Sequence, residues 1–124
     1  MPDHFRIIDE QGVKVIELQM PAGADAADFD WLNQTALLEI DPARNDGWVL
    51  DLRQFAYVGS AALGFMINVR QRIRSGGGML VLCEMSPHIA SILRASSVGK
   101  LFTTAGTRKD AIAMIQHWRA RRRR

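Results

Sequence analysis

The sequence predicts an α/β domain, a mixed sheet of about five strands with about four helices packed on it. Three observations carry that expectation. Short apolar or alternating segments recur between longer ones of helical periodicity, and clusters of Gly, Pro and Ser mark the changes. One segment, Trp48-Val49-Leu50-Asp51-Leu52, is apolar enough for a central strand covered on both faces.

The elements follow in order. His4 to Ile8 and Val13 to Leu18 read as two strands, with Gln11-Gly12 as the turn of a hairpin. After the break at Pro21-Ala22-Gly23, Asp25 or Asp28 caps a helix running to about Glu39, with Phe29, Leu32, Ala36 and Ile40 on one face. The core strand Trp48 to Leu52 comes next. A helix then begins near Ser60 and places Ala62, Met66, Val69 and Ile73 at helical spacing. Ser75-Gly76-Gly77-Gly78 ends it and turns into a strand from Met79 to Cys83. Ser86-Pro87, a cap followed by proline at the first helical position, opens a helix with Ile89, Ile92, Leu93 and Ser96 inward and Gly99 as its stop. A short strand near Leu101 to Thr104 precedes a last helix that Thr107 and Asp110 cap and whose apolar stripe is Ala111, Met114, Ile115 and Trp118. Trp48, Leu50, Met66, Val69, Ile92 and Ile115 are expected in one core.

At 124 residues, 48% hydrophobic and 23% charged, the chain suits one globular domain with a real core. A single cysteine, Cys83, rules out an internal disulfide and reads as a small buried hydrophobe. The start Met1-Pro2-Asp3-His4 has no basic segment followed by an apolar one, and no apolar stretch approaches the roughly 20 residues of a membrane helix. The expectation is a cytoplasmic protein without membrane insertion. The net charge of +3 rests on Arg119 and Arg121 to Arg124, so the remaining body is slightly acidic and direct DNA binding is not expected. The charge is also divided along the chain. The first 51 residues hold three basic and eleven acidic side chains, the remaining 73 thirteen and two. Residues 1–118 are read as the domain and 119–124 as a basic tail, the frayed end of a helix.

Catalytic machinery is not visible. Ser60 lacks a Gly-x-Ser-x-Gly context, and His4, His88 and His117 are scattered with no motif tying them to a nucleophile or, with Cys83, to a metal. Gly76-Gly77-Gly78 follows a helix and has no Lys-Ser/Thr after it, so it is a turn and not a phosphate cradle. No catalytic residue, metal site or cofactor is therefore expected. Read from the residues alone, Ser60 has a plain role as a helix cap. Arg70, Arg72 and Arg74 read as a solvated face, with contact to an acidic patch on a partner as the alternative.

The segment Asp51-Leu52-Arg53-Gln54-Phe55-Ala56-Tyr57-Val58-Gly59-Ser60-Ala61-Ala62-Leu63-Gly64 resembles the signature of the STAS family, named for sulfate transporters and anti-sigma factor antagonists. Arg74 to Leu82, Ser86-Pro87, Val98 to Phe102 and the helix from Thr107 resemble the same family in the same order. The resemblance implies a single STAS-like domain of the anti-sigma factor antagonist type, a binding protein and not an enzyme. Its partner would be an anti-sigma factor with serine kinase activity, which phosphorylates a serine near the N-terminus of the helix after the core strand. The aligned residue is Ser60. The implied partner surface is Tyr57, Gly59, Ser60, Ala61, Gly64 and Asn68. Where the family loop usually reads Asp, Ser, Ser or Thr, then Gly, this chain has Gly59, Ser60, Ala61 and Ala62. The alternatives are a STAS scaffold subunit of a signalling complex, or an accessory subunit of a membrane transporter, neither using a phosphate. An enzyme or small-molecule binder ranks last.

Overall fold

Gln11 and Gly12 both adopt positive φ, 55° and 77°. Two such residues in succession form the tight turn whose twist matches a hairpin, and the second is a glycine because φ there suits no side chain. The turn joins β1 (Phe5–Glu10) to β2 (Val13–Met20), antiparallel, with Phe5 opposite Leu18 and Glu10 opposite Val13. The computed structural model describes residues 4–20, 23–41, 44, 46–55 and 59–122.

The remaining strands are parallel. β3 (Gly47–Phe55) lies between β2 and β4 (Met79–Cys83), and β5 (Thr103–Thr104) pairs with the far side of β4, giving the order β1-β2-β3-β4-β5. The dense apolar segment is thus the central strand. β5 is shorter than the expected Leu101 to Thr104, because Gly99 to Leu101 close a 3₁₀ turn first.

Alternation along the strands builds two cores. Ile16, Leu18 and Met20 of β2 and Trp48, Leu50 and Leu52 of β3 face one side. There they meet α1 (Ala26–Thr35), α2 (Ser60–Ser75) and α3 (Pro87–Ala95). Val13, Val15, Val49, Val81 and Cys83 face the other side, against Ala111, Ile112 and Ile115 of α4 (Arg108–Arg122). The single core expected from sequence is therefore corrected. Trp48, Leu50, Met66 and Val69 share the larger core, Ile115 belongs to the opposite one, and Ile92 is half-buried outside both. Periodicity shows which face of an element is apolar but not which side of the sheet receives it. α4 lies so close to β3 that a Cβ at Gly47 would fall 2.2 Å from Ile115 Cγ2, so glycine there is a condition of the packing.

Helix boundaries follow the capping chemistry. Asp25 accepts the Asp28 N–H while the Asp28 carboxylate accepts that of Asp25, a closed capping box. α1 ends at Thr35, earlier than expected. The chain then tightens into a 3₁₀ turn, Leu37–Glu39, while Ala36 and Ile40 still reach the core. Ser86 Oγ accepts the Ile89 N–H at 3.2 Å ahead of Pro87, and Thr107 Oγ1 accepts that of Asp110 at 3.1 Å. α3 stops at Ala95, before the expected Gly99. Two arginines of α2 are structural ties: Arg72 Nε donates to Ile40 O at 2.6 Å and Arg70 Nε to Leu101 O at 2.7 Å. The chain stays helical past Trp118 to Arg122, whose guanidinium lies 4.7 Å from the Trp118 ring centre and donates to Gly77 O.

Candidate functional site

The central strand delivers the chain to α2, and the junction between them holds the residues singled out in the sequence. Tyr57 lies outside the described residues, with Ala56 and Val58. Gly59 is the N-cap of α2 in an extended conformation, and its carbonyl accepts the Leu63 N–H at 3.1 Å. Ser60 is the first helical residue and is exposed. The capping role read for Ser60 is therefore corrected. The cap position belongs to Gly59, which has no side chain to offer, so the first-turn amides receive no side-chain cap.

Ser60, Gly64 and Asn68 are spaced by four residues and form one stripe along α2. Gly64 is partly exposed, and a Cβ built there meets no atom of the described residues within 4 Å. Nothing among the described residues requires glycine at that position, although glycine inside a helix costs about 1 kcal/mol relative to alanine. Asn68 Nδ2 donates to Asn33 Oδ1 at 2.9 Å, clasping α2 to α1. Ala61 is half-buried beside the stripe, against the larger core, and Ala62 is fully buried beneath it. Leu63 and Ile67, half-buried beside it, were missed in the sequence; their spacing of three from Ser60 and Gly64 was the available signal.

A second cluster fastens β3 from the other face. Glu17 of β2 and Asp51 of β3 are direct neighbours in register and point the same way, a pair of like charges that needs a cation. Arg108, the first residue of α4, supplies it. Its guanidinium reaches Glu17, Asp51 at 3.0 Å and Glu10 at 2.7 Å, and its backbone N–H donates to Glu84 at 2.7 Å. Arg6 also pairs with Glu17, at 2.8 Å, and Arg53 with Glu84, at 3.0 Å. The hydrogen bond from Arg108 holds the Glu17 carboxyl below its ordinary range, and the Arg108 backbone N–H does the same for Glu84. These charge pairs raise the Arg108 pKa against the opposing effect of burial. Glu84 takes φ 58°, a left-handed conformation rare for a side-chain residue, and there it caps α4. Arg108 was also missed. Its signal was Glu17 and Asp51 falling on the covered side of strands in alternation with Val13, Val15 and Val49.

His4 is buried and pairs with Asp28 at 2.8 Å, while His88 and His117 are exposed on separate helices. Burial pushes the Cys83 thiol up to about 12, so it stays protonated. Among the described residues no three His, Cys, Asp or Glu side chains are placed to hold a metal ion. No helix among the described residues is long and apolar enough to cross a membrane.

Comparison with known proteins agrees with this architecture. Residues 6–111 match the STAS domain family. Over 68 residues, 55% of this chain, the sequence is 37% identical to a Bordetella bronchiseptica protein named as the anti-sigma factor antagonist BtrV, and the match spans 59% of that protein. A STAS domain protein of Planctomyces limnophilus, named an anti-sigma-factor antagonist, superposes with a TM-score of 0.77 at 21% identity, over 90% of this chain and 96% of that one. The anti-sigma factor antagonist SpoIIAA, solved in its unphosphorylated form, superposes with a TM-score of 0.65 at 13% identity, over 90% and 97% of the two chains. At such identities the two superpositions speak for the fold alone. The family match, running from β1 into the first turn of α4, is the broader finding: this chain belongs to the STAS domain family.

Proposed function

We propose that the protein is an anti-sigma factor antagonist that works as a cytoplasmic partner switch. Unphosphorylated, it docks on an anti-sigma factor with serine kinase activity through the Ser60, Gly64 and Asn68 stripe and the loop before it, with Tyr57, Gly59 and Ala61 in that surface. Phosphate on Ser60 ends the docking. The observation that carries this reading is an exposed hydroxyl on the first residue of α2, beside a cap position with no side chain.

A phosphate there adds about −1.5 to −2 charges next to helix-end amides that favour an anion, so the fold survives the modification. The same charge sits in the middle of the docking face, where the partner would have to desolvate it. The bare Gly64 surface supports the reading as well, since a partner helix or loop can approach the backbone closely there. The relatives named as anti-sigma factor antagonists favour the same function.

The test is to incubate the full chain with its cognate kinase-type anti-sigma factor, Mg²⁺ and ATP, and to follow the intact mass. One added phosphate is expected, mapped to Ser60 by fragmentation and absent in Ser60→Ala. An unchanged mass, or a phosphate mapped elsewhere, overturns the switch and leaves the scaffold or transporter-subunit reading in its place.

A further inference from the structure

The charge division along the chain has a counterpart in shape. On the basic side, α4 and the start of β4 form an open, shallow groove of about 650 Å³ lined by Met79, Ala113, Met114, His117, Trp118, Arg121 and Arg122. Its wall is nearly all apolar, and two methionines make it adaptable. No acidic residue occurs in the chain after Asp110. The groove sits where Met79 pairs with Gly47, at the opposite end of β3 from Ser60, a strand length of roughly 25–30 Å away.

On the acidic side, Leu38 is 73% exposed, the most exposed large hydrophobic side chain among the described residues. Exposed Glu39 and Asp41 follow it. The ridge is held in shape: the Glu39 N–H donates to Ala36 O at 3.1 Å, and Arg72 anchors the next residue, Ile40. An exposed apolar knob beside a carboxylate and a largely apolar groove with arginines in its wall are complementary in charge.

We infer that this groove receives Leu38 of a second copy of the chain, with Glu39 facing Arg121. The groove lies at the far end of β3 from Ser60, while the ridge borders the Asn68 end of the stripe, where Arg72 anchors Ile40. The carboxylate beside Leu38 favours a second copy as the occupant of a groove with arginines in its wall. The exposed apolar residue that suits the groove lies in the acidic half of the same chain.

The experiment is sedimentation equilibrium of the full chain at low salt, between about 10 µM and 1 mM. Reversible association is expected, weakened by added salt because the rim contact is ionic. Leu38→Asp and Ala113→Glu each change an exposed residue and should leave the thermal midpoint in place, but each should weaken association at least about tenfold. The deciding sample is their equimolar mixture. The first variant keeps the groove and the second keeps the ridge, so a one-to-one complex should form in the mixture at concentrations where each variant alone stays monomeric. A wild-type chain that is monomeric throughout overturns the inference, as does association that survives either substitution. A mixture that stays monomeric overturns it too. Groove-dependent binding to vesicles of three parts phosphatidylcholine to one part phosphatidylglycerol, with no self-association, would assign the groove to a lipid surface instead.

Discussion

Replacing Arg108 with methionine is expected to cost about 3 kcal/mol of folding stability near neutral pH, because it leaves a charge cluster without its cation. Asp51 is 5% exposed and stands opposite Glu17, with the Arg108 guanidinium between them and Glu10. Methionine keeps much of the volume but not the charge, so the loss reflects carboxylates left to repel one another at partly buried positions. The pH dependence identifies the cause. The folded-state pKa of Glu17 lies below its ordinary value of 4.5, chiefly through its hydrogen bond with Arg108. A depressed carboxyl pKa gives stability that is present above the unfolded-state value and is lost as pH falls through the folded-state value. In Arg108→Met that contribution is absent, so the gap between variant and wild type should narrow below about pH 4.5. Glu84 should stay depressed, since its first partner is the Arg108 backbone N–H, which methionine retains. Urea unfolding at about pH 7 and pH 4 measures both effects. A deficit below about 1 kcal/mol, or one unchanged by pH, would mean that the cluster is no keystone.

Leu50→Ala should cost about 2–5 kcal/mol, as large-to-small changes in a close-packed core do. Leu50 is fully buried at the centre of β3, with Ile16 and Leu82 as its cross-strand neighbours, and all three belong to the larger core. Covered by strands on both sides and helices above, the site has little freedom to collapse into the space left. The m-value of denaturant unfolding should stay constant while the midpoint drops. A loss under about 1 kcal/mol would show that this core is loosely packed.

Local signals in the sequence were read well, and long-range ones were not. Gln11-Gly12, Ser86-Pro87 and the glycine run after Ser75 mark boundaries through their own backbone chemistry, so the hairpin, α3 and β4 were legible. Phe29, Leu32, Ala36, Ile40, Ala62, Met66, Val69 and Ile73, assigned inward by spacing, are all buried. The side of the sheet was illegible, which is why Ile115 was grouped with Leu50. Ser60 misled through its residue type. Serine favours the cap position, but glycine is also accepted there and takes it one residue earlier. Arg108 joins residues as distant in sequence as Glu10, 98 positions away, and no local pattern reports such a contact. The stripe of α2 at Ser60, Gly64 and Asn68 was singled out through family resemblance. Helical spacing alone would have left it as one solvated stripe among several.

The central claim is that a phosphate on Ser60 switches binding without unfolding the protein. It is tested most directly by calorimetric titration of the cognate anti-sigma factor with the unphosphorylated protein, the Ser60-phosphorylated protein and Ser60→Ala. Ser60→Ala should bind as tightly as the unphosphorylated protein and keep its stability within about 0.5 kcal/mol, because no cap is lost. The phosphorylated form should melt at nearly the same temperature but bind at least about 100-fold more weakly, a difference of roughly 3 kcal/mol. Equal affinity of the phosphorylated and unphosphorylated forms would contradict the account.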